Sequence, residues 1–148
     1  MIIRHANTHD LEQLINLLHQ LSPPTKRNSE ADKEELKRIL DETILDRNYA
    51  VCVYQERGKL LGTATLLIQL NLHNNGRPYG HIENVVTDKN SREKDIGKQM
   101  MEYLVKEAKK RDCYKIVLNC EEKNIPFYKK CKFRSTGEIE MGIDFRKR

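Results

Sequence analysis

Apolar positions along this chain of 148 residues switch between two periods, and the switches mark out its elements. Leu11, Leu14, Ile15, Leu18 and Leu21 recur every three or four positions, which predicts a helix from about His9 to Leu21 with Thr8 as its N-cap. Ser22-Pro23-Pro24 ends it, because proline lacks a backbone N–H and restricts the residue before it. A second apolar face, Leu36, Ile39, Leu40 and Ile44, predicts a helix capped by Ser29 and running to about Leu45. Ile96, Met100, Leu104 and Ala108 step by four, so a third helix runs to about Arg111, and a short aromatic one follows near Ile125 to Lys130.

Strands fill the intervals. Ile2 and Ile3 predict a short first strand. Tyr49 to Gln55 and Leu60 to Leu72 form a hairpin across the Arg57-Gly58 turn. His73 to Pro78 is a turn-rich loop. His81 to Asp88, Tyr114 to Cys120 and Glu138 to Arg146 complete the set. This order predicts one domain over residues 1–148. It is an α/β layer structure with a mixed, mostly antiparallel central sheet and helices on both faces. The crossover from Asp88 to Lys115 is long enough for a right-handed parallel pairing through its helix.

Charge sharpens this picture. The net charge is +5, from 27 basic and 22 acidic residues. Lys89 to Arg134 holds 14 of the basic and 7 of the acidic residues, a local +7 that leaves −2 elsewhere. Most of these lysines read as a solvated face, yet together they raise the local concentration of an anion. Lys109-Lys110-Arg111, Lys129-Lys130 and Arg146-Lys147-Arg148 lack an aromatic platform, so no nucleic-acid partner is expected. No apolar run approaches a membrane span, and the N-terminus lacks the regions of a signal peptide. Cys52, Cys113, Cys120 and Cys131 form no C-x-x-C pair, so no metal site is expected and a cytoplasmic setting is the default.

The chemistry concentrates where the third helix begins. Arg92-Glu93-Lys94-Asp95-Ile96-Gly97 follows a strand and opens that helix. A helix start offers unpaired backbone N–H groups and a positive dipole end, which suit a phosphate-bearing cofactor. Asn124-x-x-Phe127-Tyr128 lies downstream.

These residues resemble the GNAT N-acetyltransferase superfamily, whose fold matches the element order from Ile2 to Arg146. The family's cofactor loop reads Gln/Arg-x-x-Gly-x-Gly/Ala; here Arg92 and Gly97 match, and Asp95 stands at the first Gly. Within the superfamily the chain is most similar to glucosamine-phosphate N-acetyltransferases. The likeness lies in Gly80-His81-Ile82-Glu83, Cys113-Tyr114-Lys115-Ile116 and Asn124-x-x-Phe127-Tyr128. Those enzymes move an acetyl group from acetyl-CoA to an amino-sugar phosphate, usually as dimers.

The resemblance implies roles for particular residues. Val85, Val86 and Thr87 would pair with the pantetheine arm, and a backbone N–H near Val85 would stabilise the oxyanion. Arg92, Glu93, Lys94, Asp95, Ile96, Gly97 and Lys98 would bind the pyrophosphate, mainly through main-chain N–H groups. Asn124 would contact the cofactor arm. Tyr128 would give a proton to the departing thiolate, since a phenol stays protonated at neutral pH. Glu83 would take the amine proton or hold a sugar hydroxyl, with Asn84 beside it at the acceptor and Asn119 also at the catalytic centre. His81 reads as structural.

Asn84 and Asn119 stand where the amino-sugar enzymes carry Asp, and Asp95 implies weaker CoA binding. A ping-pong route through Cys120 or Cys131 lacks a His partner in any motif, so direct attack by the amine is expected. Two alternatives stand beside the leading reading: a non-catalytic acyl-CoA-binding module, and N-acetylation of a different amine or a peptide. Release of CoA distinguishes the first.

Overall fold

The computed structural model describes residues 1–23 and 33–146. Contacts within the chain divide into two compact units, Met1–Leu118 and Asn119–Arg148.

The first unit is a five-stranded sheet. Its strands are β1 (Ile2–His5), β2 (Tyr49–Glu56), β3 (Lys59–Gln69), β4 (Tyr79–Thr87) and β5 (Ile116–Val117). They lie in chain order; the first four pair antiparallel and β5 joins β4 in parallel. The parallel pairing needs the crossover helix α3 (Ile96–Lys110) between them. Helices α1 (Leu11–Leu21) and α2 (Lys33–Leu45) precede the hairpin.

The pleat separates the helices. Val53 joins Leu14 and Leu17 of α1, Leu40 of α2, Ala6, Leu60 and Val86 in one buried cluster. Gly62 lies opposite Tyr54 and belongs to the other face. A Cβ there would come within 2.9 Å of Met100 Sδ, so α3 packs directly on the backbone of β3. Met100, Met101 and Leu104 are fully buried on that side. Each such side chain contributes roughly 1.5–3 kcal/mol relative to exposure.

Several expectations shift. Thr8 does not cap α1; Asn7 caps the 3-10 turn that leads into it: its side chain accepts from His9 N–H at 2.9 Å, and Asp10 accepts from Asn7 N–H at 2.8 Å. The intervening residues Thr8–Asp10 form a 3-10 turn. Ser29 lies outside the described residues. Ile39 is 46% exposed, because the buried stripe of α2 follows Leu40 and leaves its sequence neighbour turned outward. β3 ends at Gln69, the last residue with a partner on β4, and Leu72 beyond it is fully exposed.

The second unit holds a 3-10 turn, Glu122–Asn124, and the short helix α4 (Ile125–Lys130) with Pro126 in its first turn. A proline there costs no hydrogen bond. The expected strand Glu138 to Arg146 is absent from the described residues of that stretch. Ile139, Met141, Ile143 and Phe145 keep the alternation of a strand, yet each is more than 80% exposed. A strand exists only through its ladder, and these residues pair with no strand among the described residues.

Candidate acetyl-CoA site

Strand β4 is irregular where the chemistry is expected. Thr65 pairs with Glu83 and Thr63 pairs with Val86, so Asn84 and Val85 together oppose Ala64. This is a β-bulge, and its first residue, Asn84, has φ 53°. Left-handed backbone is costly for most L-residues, and asparagine tolerates it because its side chain is short and polar. The asparagine that departs from the amino-sugar pattern therefore occupies a position that suits asparagine.

On its other side β4 pairs with β5 only at Gly80 and His81. Among the described residues, the edge of β4 facing β5 has no partner strand from Ile82 to Thr87. Gly80 permits the close approach at the start of this parting: a Cβ there would come within 2.8 Å of Leu66 Cδ1 and 3.6 Å of Ile116. His81 is held by Gln69 (Nε2 to Oε1, 2.9 Å) and by the Tyr79 ring at 4.9 Å. Glu83 and Asn84 are exposed, Val85 and Thr87 half-buried, and Val86 is buried in the α1/α2 core.

The strand leads into the loop. Asp88 N–H donates to Leu61 O, and Ser91 N–H to Asp88 O, each at 2.8 Å. Residues Arg92–Lys94 form a 3-10 turn, and Asp95 takes φ 56° before α3 begins at Ile96. The loop curls around a pocket of about 400 Å³ lined by Lys89 to Lys94. Gln99 N–H reaches back to Asp95 O at 3.0 Å, which closes the first turn. Ile96, Gly97 and Lys98 fill that turn, where backbone N–H groups have no partner within the helix. Lys94 Nζ pairs with Glu56 at 3.4 Å, while Arg92 and Lys98 make no ion pair with the described residues. A positive-φ corner at Asp95 is what the family's glycine supplies freely.

The chain matches the model of the acetyltransferase (GNAT) family over residues 11–133. It belongs to that family. Glucosamine 6-phosphate N-acetyltransferase from Arabidopsis thaliana is 35% identical over 133 residues, 88% of this chain and 87% of that protein. A crystal structure of glucosamine-6-phosphate N-acetyltransferase from the same plant superposes with a TM-score of 0.87 at 33% identity, covering 97% of each chain. An acetyltransferase from Trypanosoma brucei gives 0.85 at 32% identity, covering 97% of this chain and 99% of its own. Acetyl-CoA is the family's acyl donor, and this GNAT chain is an N-acetyltransferase.

In the second unit Tyr128 packs between Phe127 (centroids 4.9 Å apart) and Phe133 (6.2 Å). Its carbonyl accepts from Phe133 N–H at 3.0 Å. Burial first, then the nearby Cys120 and Cys131 thiols, pushes the Tyr128 hydroxyl above its ordinary value. It therefore stays a proton donor. Asn119 is exposed, and Asn124 closes the 3-10 turn just before α4.

One loop residue escaped sequence reasoning. Asp88 is buried, and its carboxylate accepts from Gln20 Nε2 at 2.9 Å and from Asn90 N–H at 3.3 Å. The Gln20 bond holds the Asp88 carboxyl below its ordinary range; burial opposes the shift, and the Asn90 N–H and the charges of Lys59 and Lys89 add to it. A glutamine on an amphipathic helix carries no signal of such a role.

Proposed function

We propose that this chain transfers the acetyl group of acetyl-CoA to the amino group of glucosamine 6-phosphate, and that it works as a homodimer. The observation that carries the donor half is the free edge of β4 from Ile82 to Thr87, leading directly to the first turn of α3. An extended pantetheine arm pairs with the backbone of Val85, Val86 and Thr87 there. The N–H groups of Ile96, Gly97 and Lys98, with Arg92, Glu93, Lys94 and Asp95 of the loop, surround the pyrophosphate. Asn124 contacts the arm. The acceptor half is supported by the relatives' names and by the shared Gly80-His81-Ile82-Glu83 block.

The chemistry of these residues and the resemblance to the family support the following course. The neutral amine attacks the thioester carbonyl carbon and a C–N bond forms. The oxyanion accepts a hydrogen bond from the Val85 N–H. Collapse breaks the C–S bond, and Tyr128 gives its proton to the departing thiolate. Glu83 accepts the proton shed by the amine, directly or through water, and Asn84 and Asn119 hold the acceptor. None of the four cysteines forms a disulfide among the described residues, which suits a reducing, cytoplasmic setting.

The dimer rests on the C-terminal stretch. Its alternating Ile139, Met141, Ile143 and Phe145 are exposed in a single chain, and a second copy is the simplest source of a ladder for them.

Product analysis tests the acceptor. Purified protein with acetyl-CoA should convert glucosamine 6-phosphate to its N-acetyl product with a kcat/KM far above that for glucosamine or a peptide amine. Equal or greater efficiency on either of those would overturn the proposal.

A further inference from the structure

Helix α1 carries Gln13 and Gln20 two turns apart on one face, and each uses both ends of its carboxamide at the end of a different strand. Gln13 Oε1 accepts from Leu60 N–H at 2.8 Å, and its Nε2 donates to Gly58 O at 3.3 Å, which ties α1 to the β2–β3 hairpin. Gln20 Nε2 donates to Asp88 Oδ1 at 2.9 Å, and its Oε1 accepts from Lys89 N–H at 2.8 Å. Gln20 thus grips the chain where β4 becomes the loop.

The consequences run along the loop. With one carboxylate oxygen held by Gln20, the other is left to cap Asn90 N–H, and the Asp88 carbonyl receives Ser91 N–H. Ser91 is buried, and its carbonyl in turn accepts from Lys94 N–H at 3.2 Å. Each bond sets the next, from α1 to the turn before Asp95. Without Gln20, Lys89 N–H loses its partner and Asp88 loses a donor from another element. The loop is then fixed only by its own short-range bonds, and ordering it on binding costs affinity.

We propose that Gln20 is a positioning residue for acyl-CoA: it pre-shapes the loop Lys89–Lys94 that receives the pyrophosphate, without touching the reacting atoms. This rests on the reading of that loop as the phosphate site. The effect belongs to donor binding and not to the acetyl-transfer step, because the thioester lies along β4.

Gln13 supplies the control, since Gln13→Met also removes one donated and one accepted bond from the same helix, away from the loop. Gln20→Met should raise the acetyl-CoA KM about tenfold, the scale of a lost hydrogen-bond pair, with kcat and the acceptor KM little changed. Gln20→Glu should do the same, because its carboxylate keeps the Lys89 N–H but faces Asp88. Gln13→Met should lower the melting temperature comparably and leave the acetyl-CoA KM alone. S-acetylpantetheine lacks the pyrophosphate, so Gln20→Met should use it as the wild type does. An acetyl-CoA KM that moves equally in Gln13→Met and Gln20→Met, or in neither, would overturn the proposal. An Arg92→Ala/Lys98→Ala variant separates the two readings by calorimetry with CoA. Affinity lost there but kept in both Gln20 variants defeats the Gln20 role alone. Affinity unchanged there defeats the loop reading itself.

Discussion

Replacing Asp95 by glycine should raise stability and tighten CoA binding, and a separate term sets each gain. The first is conformational. Asp95 holds φ 56° and ψ 20°, a left-handed conformation at the corner between the 3-10 turn and α3. Such backbone costs an L-residue roughly 1–2 kcal/mol, with Asp near the lower end. Glycine removes that cost but gives the unfolded chain more freedom, by about 0.5–1 kcal/mol. The net stability gain is therefore at most about 1 kcal/mol, or a rise of about 3 °C in melting temperature.

The second term is electrostatic. Asp95 is exposed at the loop and makes no side-chain capping bond. A carboxylate on the order of 8 Å from a phosphate charge costs about 0.5–2 kcal/mol at effective dielectric constants of roughly 80 to 20. Removing it should lower the Kd for CoA by about 2- to 30-fold. Asp95→Asn separates the terms, because it removes the charge and keeps a residue that tolerates left-handed backbone. Calorimetry with CoA should show tighter binding for both variants, less so at high salt, while only Asp95→Gly melts later. Unchanged affinity in both variants would refute the placement of the pyrophosphate at this loop.

Other perturbations test other parts of the account. Tyr128→Phe should lower kcat about a hundredfold with little change in the acetyl-CoA KM, as measured by steady-state thiol release. Burial holds the Tyr128 hydroxyl above its ordinary value, so the kcat profile should show no decline from this group below about pH 10. Asp10→Ala should cost about 2 kcal/mol by denaturant titration, because it removes a carboxylate bonded to Arg4 at 2.7 and 2.9 Å and to the Asn7 N–H. Burial raises the Asp10 carboxyl, and the bonds from Arg4 and Asn7 outweigh it, leaving it below its ordinary value. Its contribution is therefore complete above the ordinary carboxylate range near pH 3.9 and is lost as the pH falls through the lowered value, where mutant and wild type should converge. Deleting residues 138–146 should convert a dimer to a monomer in analytical ultracentrifugation; a dimer that survives the deletion has its interface elsewhere.

The helices were legible because their apolar stripes are local. Ile96, Met100, Leu104 and Ala108 all lie buried on α3, and α4 spans the predicted residues. The strands were less so, because their length depends on a neighbour. Tyr114 to Cys120 is apolar enough for a strand, yet only Ile116–Val117 pairs before β4 and β5 part. Leu70 and Leu72 extend an apolar run past the last partner of β3. The bulge at Asn84 was not predicted, although an asparagine inside a β-rich run is its one local trace. The left-handed corner at Asp95 was foreshadowed, since a glycine position in a family pattern implies such backbone. Gln20 left no trace, because its partners lie 68 and 69 residues away and are a carboxylate and a main-chain N–H.

The most direct test is thiol release from acetyl-CoA by the purified protein, with and without glucosamine 6-phosphate. Release that requires the amino sugar phosphate, and that falls with Tyr128→Phe, is the result expected here. Clear CoA binding with no release would contradict the acceptor, and no CoA binding would contradict the assignment of the β4 edge and the α3 first turn as the donor site.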